Sequence, residues 1–411
     1  MYFCINSLLI IKMSYINRPI YYKQIEPFIG DSLIKVIVGQ RRVGKSNLLL
    51  QLKDEIVDRN PDAKIIYINK EDYQFDAIND YHDLMHYLES DIQSNQKTAL
   101  FIDEIQEIQS FEKAIRSLQI TGNFDIYCTG SNASLLSGEL ATLLAGRYIE
   151  IRVFSLTYLE FLEFHKKENS MESLWSYMKF GGLPHLVNLR EDEDVYLDYL
   201  KSIFDSIILR DVITRYNIRN IHFLQNLIRF IADNVGSLVS ANKISDYLKS
   251  QKIPLLPKTI LEYLSNLENV FFIERVKRKE VGGKKIFEIG EKFYFEDLGI
   301  RNAIKSFEIK DIHKLLENVV YHHLRCMRYE VFIGKMGDKE IDFIAQKKDV
   351  IIYIQVAYLL IEPKTIESEF GNLLQIKDNY RKMVITMDDL PISNQQGIEH
   401  WNVRKFLSEF N

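Results

Sequence analysis

One eight-residue segment, Gly39–Ser46, restricts the fold of this chain more than any other part of its sequence. Its fixed positions are Gly39, Gly44, Lys45 and Ser46, which match the pattern G-x-x-x-x-G-K-[ST]. The two glycines let the backbone curl until its N–H groups face one point, where phosphate oxygens fit. The lysine adds a positive charge there, and the serine hydroxyl suits a Mg²⁺ ion. The segment therefore predicts a phosphate-binding loop.

The residues on either side of the loop fit this prediction. A mostly apolar run, Ile34–Val38, indicates a strand leading into it, and Asn47–Arg59 has the periodicity of a helix. The positive end of that helix would face the phosphates. We expect ATP to contact every residue from the first glycine to the first residue of the helix, namely Gly39, Gln40, Arg41, Arg42, Val43, Gly44, Lys45, Ser46 and Asn47. A chance glycine turn is the alternative.

An acidic pair follows the loop by about 60 residues. Asp103 and Glu104 stand at the end of Thr98–Ile102, an apolar run that predicts a strand. An aspartate in this position can hold Mg²⁺ through water, as Ser46 can through its hydroxyl, and the adjacent glutamate can orient or deprotonate the attacking water. The alternative is a solvated acidic loop.

Another predicted strand, Phe124–Cys128, ends in the polar residues Thr129 to Asn132. Asn132 or Ser131 could detect the γ-phosphate by a hydrogen bond, whereas an ordinary helix cap is the alternative. Further strand-like runs at 64–68 and 148–153 alternate with helical stretches at 81–95 and 111–121. Such alternation predicts a mostly parallel sheet covered by helices.

These motifs resemble those of the AAA+ superfamily of P-loop ATPases, with Asp103-Glu104 as Walker B and 129–132 as sensor 1. The segments Leu144–Arg147 and Ile151–Phe161 are similar to those of a prokaryotic family of predicted ATPases. In that family an AAA domain precedes a C-terminal domain of unknown function. The resemblance covers nearly the whole chain, and its nucleotide motifs are more specific than its C-terminal ones.

The resemblance implies roles for two further residues. Arg147 would be an arginine finger that stabilises charge on the transferred phosphoryl group, within one chain or across a homo-oligomer interface. A surface or structural arginine is the alternative. Pro184, in Gly181–Pro184, looks like a lid proline that packs on adenine, with a simple helix break as the alternative.

We expect four regions: an AAA+-type ATPase core at 1–155, a helical lid at 156–221, a winged helix-turn-helix at 222–300 and a degenerate nuclease-like α/β domain at 301–411. The winged helix is indicated by three helical stretches followed by a hairpin. Its candidate recognition helix is Pro257–Leu267, with Lys258, Thr259 and Glu262 on the exposed face. The hairpin is basic, with Arg275, Lys277, Arg278, Lys279, Lys284 and Lys285. Such a surface can contact duplex DNA through phosphates, although many winged helices only pack against other domains.

The last region is similar in element order to the PD-(D/E)XK restriction-endonuclease fold. Glu317 and Asp342 match two metal-binding positions of that fold, but Gln355 and Ala357 stand where Glu-x-Lys is expected. Because an amide is a weaker metal ligand and alanine cannot stabilise charge, we expect a nuclease-like module without catalysis. A rescue by Lys364 is the alternative.

Composition sets broader limits. The 411 residues carry a net charge of −5, so DNA binding would need a local basic patch. The three cysteines have no metal-binding spacing and fit a reducing cytoplasm. No apolar run reaches the length of a membrane helix, and no membrane partner is expected. Met13 is a candidate start, with Met1–Lys12 as an extension.

The sequence thus predicts a Mg²⁺-dependent ATP hydrolase that acts as a nucleotide-controlled switch on DNA or a protein partner. Lys45, Glu104, Asn132 and Arg147 are the candidate catalytic residues, and Ser46 and Asp103 the candidate metal ligands. The alternatives are a DNA-binding regulator with ATP as a structural ligand and, less favoured, a nuclease.

Overall fold

The computed structural model describes residues 16–93, 96–133, 144, 146–250, 256–283, 285–360, 362–389 and 396–410. The candidate start at Met13 and the side chains of Lys284 and Lys364 lie outside this description. The chain divides into two compact units. Unit 1 is formed by Met1–Val36, Lys45–Thr129 and Arg147–Ile151, and unit 2 by Ile37–Gly44, Gly130–Gly146 and Arg152–Asn411. The division passes through the predicted phosphate-binding loop, after Gly44.

The predicted ATPase region contains a five-stranded sheet, in agreement with the predicted α/β fold. Its strands are β1 (Ile34–Val38), β2 (Lys64–Asn69), β3 (Thr98–Asp103), β4 (Phe124–Gly130) and β5 (Tyr148–Arg152), in the order β2-β3-β4-β1-β5. The pairs β2–β3 and β3–β4 are parallel. Because β4 lies next to β3, the polar residues at its end lie beside the acidic pair at the end of β3.

The helices in the described part of unit 1 are α1 (Pro19–Ile25), α2 (Lys45–Arg59), α3 (Tyr81–Tyr87), α4 (Glu89–Gln93) and α5 (Phe111–Thr121). Those predicted at 47–59 and 111–121 begin and end close to the predicted positions, whereas α1 was not predicted. The single helix expected at 81–95 is instead two, because it is interrupted at Leu88, which is fully buried. A capping box from Asp80 and Asp83 starts α3.

The strand that leads into the loop is buried along its whole length, although its second residue is charged. Lys35 has no exposed surface, and its ammonium group pairs with the Asp125 carboxylate on β4 and donates to the Asp31 carbonyl at 2.8 Å. Burial lowers the pKa of Lys35, and Asp125 opposes that shift. Because of this ion pair, the buried strand β1 can contain a charged lysine.

Unit 2 begins with the helices of the predicted lid: α6 (Tyr158–His165), α7 (Met171–Phe180), α8 (Glu193–Ser206) and a π-helix (Ile207–Thr214) that continues α8. Three helices follow at α9 (Ile221–Asp233), α10 (Ala241–Ser250) and α11 (Pro257–Asn269). The other helices in the described part of unit 2 are α12 (Leu298–Ile304), α13 (Ile312–Cys326), α14 (Pro363–Leu374) and α15 (Val403–Glu409). Within the described ranges no helix has the length and apolarity that a membrane crossing requires.

A seven-stranded mixed sheet forms the other half of unit 2. Its strands are β6 (Ile273–Glu280), β7 (Ile286–Phe295), β8 (Glu330–Met336), β9 (Lys339–Lys347), β10 (Val350–Val356), β11 (Arg381–Thr386) and β12 (Glu399–Asn402). The order is β12-β11-β10-β9-β8-β6-β7. An apolar core that includes Phe332, Tyr353 and Phe370 packs one face of this sheet against α14.

The hairpin predicted as a free wing is part of this sheet, so that expectation is not confirmed. β6 pairs with β7 on one side and with β8 on the other, with Arg278 opposite Ile333. Two of its basic side chains are also occupied. Arg275 binds the Glu268 carboxylate at 2.7 Å, and the Lys279 ammonium donates to the Gln346 amide oxygen at 2.9 Å. A strand with partners on both edges cannot move as an independent wing.

Candidate nucleotide site

The acidic pair lies at the end of β3, in unit 1. Asp103 is 2% exposed, and its carboxylate accepts hydrogen bonds from the hydroxyls of Thr129 and Ser46. Burial raises the pKa of Asp103, against the lowering effect of these two hydrogen bonds and of the charge on Lys45. The Ser46 hydroxyl and the Asp103 carboxylate are thus in hydrogen-bond contact. Both are oxygen ligands of the kind that Mg²⁺ takes, so they fit a shared Mg²⁺ site.

Glu104 follows in an uncommon backbone conformation. Its φ of 56° and ψ of 52° are left-handed, and its amide donates to the Thr129 hydroxyl at 2.9 Å. Its carboxylate, 8% exposed, accepts from the Gln106 side chain. A non-glycine residue held in this region stores strain, and such strain is concentrated at functional sites. Thr129 therefore fixes both members of the acidic pair.

The residues at the start of α2 differ in exposure. Lys45 is 4% exposed, whereas Ser46 and Asn47 are open to solvent. A buried ammonium group at a helix N-terminus gives a fixed positive charge beside backbone N–H groups. This combination fits a polyphosphate.

The loop residues before Lys45 belong to unit 2. A methyl group at Gly39 would collide with the carbonyl of Val153, so glycine is required by a close backbone approach. Gly44 has φ of 97°, and Arg42 has φ of 72° with an exposed side chain. Val43 is fully buried and anchors the loop. The glycines predicted from the motif are therefore required by the backbone path.

Pro184 lies beside this loop, at the start of a 3₁₀ turn (Pro184–Asn188). A β-carbon built on Gly44 would be 3.7 Å from the Pro184 ring. Two hydrogen bonds hold the backbone just before this turn. The amide of Gly182 donates to the Asp297 carboxylate at 2.7 Å, and the carbonyl of Gly182 accepts from the Leu156 amide at 2.7 Å. The proline that the resemblance singled out is thus adjacent to the second glycine of the loop.

The two remaining candidates have contrasting surroundings. Asn132 is 2% exposed, and its amide donates to the Tyr216 hydroxyl at 3.3 Å. Arg147 precedes β5 with an exposed side chain, while its carbonyl accepts from the Ile34 amide at 3.0 Å. An exposed guanidinium on an ordered strand end is available to another molecule.

Two residues near the loop were not singled out from the sequence. Asp211, on the π-helix, binds the guanidinium group of Arg41 at 2.9 and 3.3 Å, and Tyr216 receives the bond from Asn132. Asp211 interrupts an apolar helical face that contains Ile208 and Val212. A carboxylate on an apolar face was the signal that could have identified it.

The second candidate centre, in the C-terminal region, has a buried lysine among its carboxylates. The Lys292 ammonium group contacts the carboxylates of Glu317 at 2.6 Å, Glu340 at 2.9 Å and Asp342 at 3.8 Å. Although burial opposes it, these carboxylates raise the pKa of Lys292. Gln355 accepts from the Asp342 amide and donates to Glu369.

The structure thus brings Glu317, Asp342 and Gln355 together, as the nuclease resemblance implied, while Ala357 contributes no charge. Among the described residues no three His, Cys, Asp or Glu side chains are arranged to hold a metal ion. The single positive charge of Lys292 instead offsets part of the charge of these acidic side chains. This arrangement gives no support to the nuclease alternative.

Several solved structures are similar to parts of this chain. A Walker-type ATPase of Pyrococcus abyssi is 17% identical, with 69% of this chain and 93% of that one covered at a TM-score of 0.47. The Orc1 protein of Aeropyrum pernix, solved in complex with DNA, is 11% identical, with 70% and 91% covered at a TM-score of 0.33.

Sequence comparisons cover more of the chain. Residues 31–162 match an AAA domain, and residues 171–311 match a domain of unknown function. An uncharacterized protein of Haemophilus influenzae is 39% identical over 390 residues, which span 93% of this chain and 96% of that protein. One of Methanocaldococcus jannaschii is 31% identical over 404 residues, spanning 92% and 86%. The chain therefore belongs to one family with these two proteins, and its residues 31–162 are an AAA domain of the P-loop ATPase class.

Proposed function

We propose that this chain is a Mg²⁺-dependent ATPase in which the bound nucleotide acts as a switch. The observation that carries the proposal is the position of Asp103, buried and hydrogen-bonded to Ser46 of the loop and to Thr129. A buried carboxylate that accepts from a loop serine is poorly explained as a solvated acidic turn, because such a turn would leave it in water.

Each residue would have a distinct task. Lys45 and the loop N–H groups would hold the phosphates, while Ser46 and Asp103 would hold Mg²⁺, the latter through water. Mg²⁺ supplies positive charge that stabilises the departing phosphate. Glu104 would orient or deprotonate the attacking water, and Asn132 would contact the γ-phosphate. Pro184 would pack on the adenine.

ATP binding tests the first of these tasks. Lys45→Ala removes the buried ammonium group and should weaken binding of a fluorescent ATP analogue by at least tenfold, as well as abolish turnover. Lys53→Ala is the matched control, because Lys53 lies on the same helix and pairs with Asp54 at 3.3 Å. If Lys45→Ala binds and hydrolyses ATP like the wild type, the proposal is wrong.

Duplex DNA is the second candidate ligand. In support, Lys258 at the start of α11 and Lys277 and Lys285 of the hairpin are exposed, and three helices, α9–α11, precede the hairpin, as a winged helix-turn-helix would need. Fluorescence anisotropy with duplex DNA over a salt series should show binding that weakens with salt. The triple change to glutamine should reduce the salt slope. An unchanged anisotropy at low salt would remove DNA from the account.

A further inference from the structure

Arg41, one of the four variable residues of the phosphate-binding loop, is held by a buried ion pair. It is 8% exposed, and Asp211, its partner on the π-helix, is 1% exposed. The guanidinium Nε donates to Asp211 Oδ2 at 2.9 Å and Nη2 to Oδ1 at 3.3 Å. Two parallel bonds to one carboxylate fix both position and orientation of the arginine. Both residues belong to unit 2.

The element that carries Asp211 is itself unusual. Ile207–Thr214 is a π-helix of 8 residues, a form that is rare and is found mostly at functional sites. Ile207, Ile208 and Val212 are buried beside Asp211, whereas Leu209 is 58% exposed. The carboxylate therefore lies on the packed face of the helix, where its charge has to be matched by a partner.

Tyr216, just after the π-helix, makes a second contact to a candidate nucleotide residue. Its hydroxyl accepts from the Asn132 amide at 3.3 Å. Asn132 is the candidate sensor of the γ-phosphate. Asp211 and Tyr216 are five positions apart on one segment. The first contacts Arg41 of the loop, and the second contacts the candidate sensor.

The loop has another anchor within unit 2. The Gln40 amide, 1% exposed, donates to the carbonyl of Phe271 at 3.1 Å, in the turn before β6. Phe271 has φ of 56°, so this turn has a fixed and strained backbone. Gln40 is thus held by the turn before β6, whereas its neighbour Arg41 is held by the π-helix.

We propose that Asp211 and Tyr216 are positioning residues of the nucleotide site, and that the segment 207–216 changes state with nucleotide occupancy. The inference rests on the proposed ATP binding at Gly39–Ser46. A polyphosphate at the loop adds negative charge that attracts Arg41 and repels Asp211. The nucleotide therefore interacts differently with the state in which Arg41 is paired with Asp211 and the state in which it is not. A ligand shifts the equilibrium between two states only when it has such a difference in interaction. Binding loosens the segment, and release restores the pair.

Amide hydrogen exchange of the whole chain, with and without Mg²⁺-ATP, tests the inference. In the wild type, peptides covering 207–216 should exchange at least threefold faster with ATP present. Asp211→Asn removes the charge and should give fast exchange in both conditions, so the response is lost. Asp205→Asn is the matched control, because Asp205 is exposed on α8 and should leave the response unchanged.

Tyr216→Phe gives a test that does not depend on the buried charge. It removes only the hydroxyl that accepts from Asn132, and should reduce the exchange response at saturating Mg²⁺-ATP at least twofold. Wild-type binding of a fluorescent ATP analogue is measured in parallel. If the wild type does not bind ATP, both the proposed ATPase function and the proposed response of segment 207–216 are wrong. If it binds and hydrolyses ATP but exchange at 207–216 is unchanged or slower, only the proposed response of the segment is overturned.

Discussion

The Thr129 hydroxyl contacts both a candidate metal ligand and a candidate catalytic residue. It donates to the Asp103 carboxylate and accepts from the Glu104 amide. Thr129→Val keeps the shape of the side chain and removes both bonds. We expect Mg²⁺-ATP turnover to fall by about 10- to 100-fold, as when an outer partner of a metal ligand is lost, while ATP binding without metal stays within about twofold.

Thr121→Val is the control for this change, because the Thr121 hydroxyl donates to the Leu118 carbonyl at the exposed end of α5. It should have wild-type turnover. Turnover of Thr129→Val equal to that of the wild type would show that the hydroxyl does not organise the acidic pair.

Asp342 should make stability depend on pH. Burial and the nearby Glu317 carboxylate raise the pKa of Asp342 to about 7 from its ordinary 3.8, against the charge of Lys292. The folded chain then binds this proton more tightly than the unfolded chain. The contribution of the Asp342 proton to the free energy of unfolding is fully present below the ordinary pKa and is lost as pH rises to about 7.

Urea unfolding of the wild type and of Asp342→Asn between pH 5 and 8 measures this effect. The stability of the wild type relative to the variant should fall by about 2–3 kcal/mol across that range. Asn at 342 can still accept from the Val356 amide, which donates to the Asp342 carboxylate at 2.8 Å in the wild type. Parallel pH curves for the two proteins would contradict the assignment.

At the residue scale, the candidate nucleotide residues could be identified because they lie in short motifs with fixed spacing. The partners Asp211 and Lys292 could not. Asp211 meets Arg41 across 170 positions of sequence, and Lys292 meets Glu317 only because β7 lies beside α13. A contact of this kind depends on strand order and helix packing, which periodicity does not encode.

At the scale of elements, local patterns predicted most helices and strands. The bounds of α5 were predicted from periodicity, as was the start of α11 at Pro257. The sheet to which the hairpin belongs was not predicted. β6 pairs with β8, which follows it by about 50 residues, and nothing in the pattern of either strand specifies its neighbour.

The pairing of β6 leads to a prediction about fragments. A fragment of residues 222–300 would lose β8 and leave an unpaired edge on β6. It would also lose Asn318, whose side chain pairs with the backbone of Phe295 at 2.8 and 2.9 Å, and Glu317, which accepts from Tyr294. We expect this fragment to show no cooperative urea unfolding by circular dichroism. A cooperative transition with native helix content would mean that it is an independent winged helix.

At the scale of the whole molecule, Arg147 decides whether one chain is sufficient for turnover. Its side chain is exposed at the start of β5, where a second molecule can reach it. We predict that Arg147→Ala reduces turnover at least tenfold. Mixing it with inactive Glu104→Gln should restore activity, because the second protein supplies the arginine and the first the intact acidic pair.

The mixture is compared with each variant alone at the same total concentration, and the assembly state is followed by light scattering. Activity that stays at the level of Arg147→Ala alone would mean that the arginine acts within its own chain or has no catalytic role. Restored activity together with assembly in the presence of ATP is the expected result.

ATP turnover by Glu104→Gln, compared with Glu107→Gln, tests the central claim most directly. Both changes remove one carboxylate after β3, but Glu104 is 8% exposed in a left-handed conformation and Glu107 is exposed on the next turn. The account predicts that Glu104→Gln binds ATP within about threefold of wild type and loses at least 100-fold in turnover. Glu107→Gln should behave as wild type. Equal turnover by Glu104→Gln and the wild type would contradict ATP hydrolysis at this site.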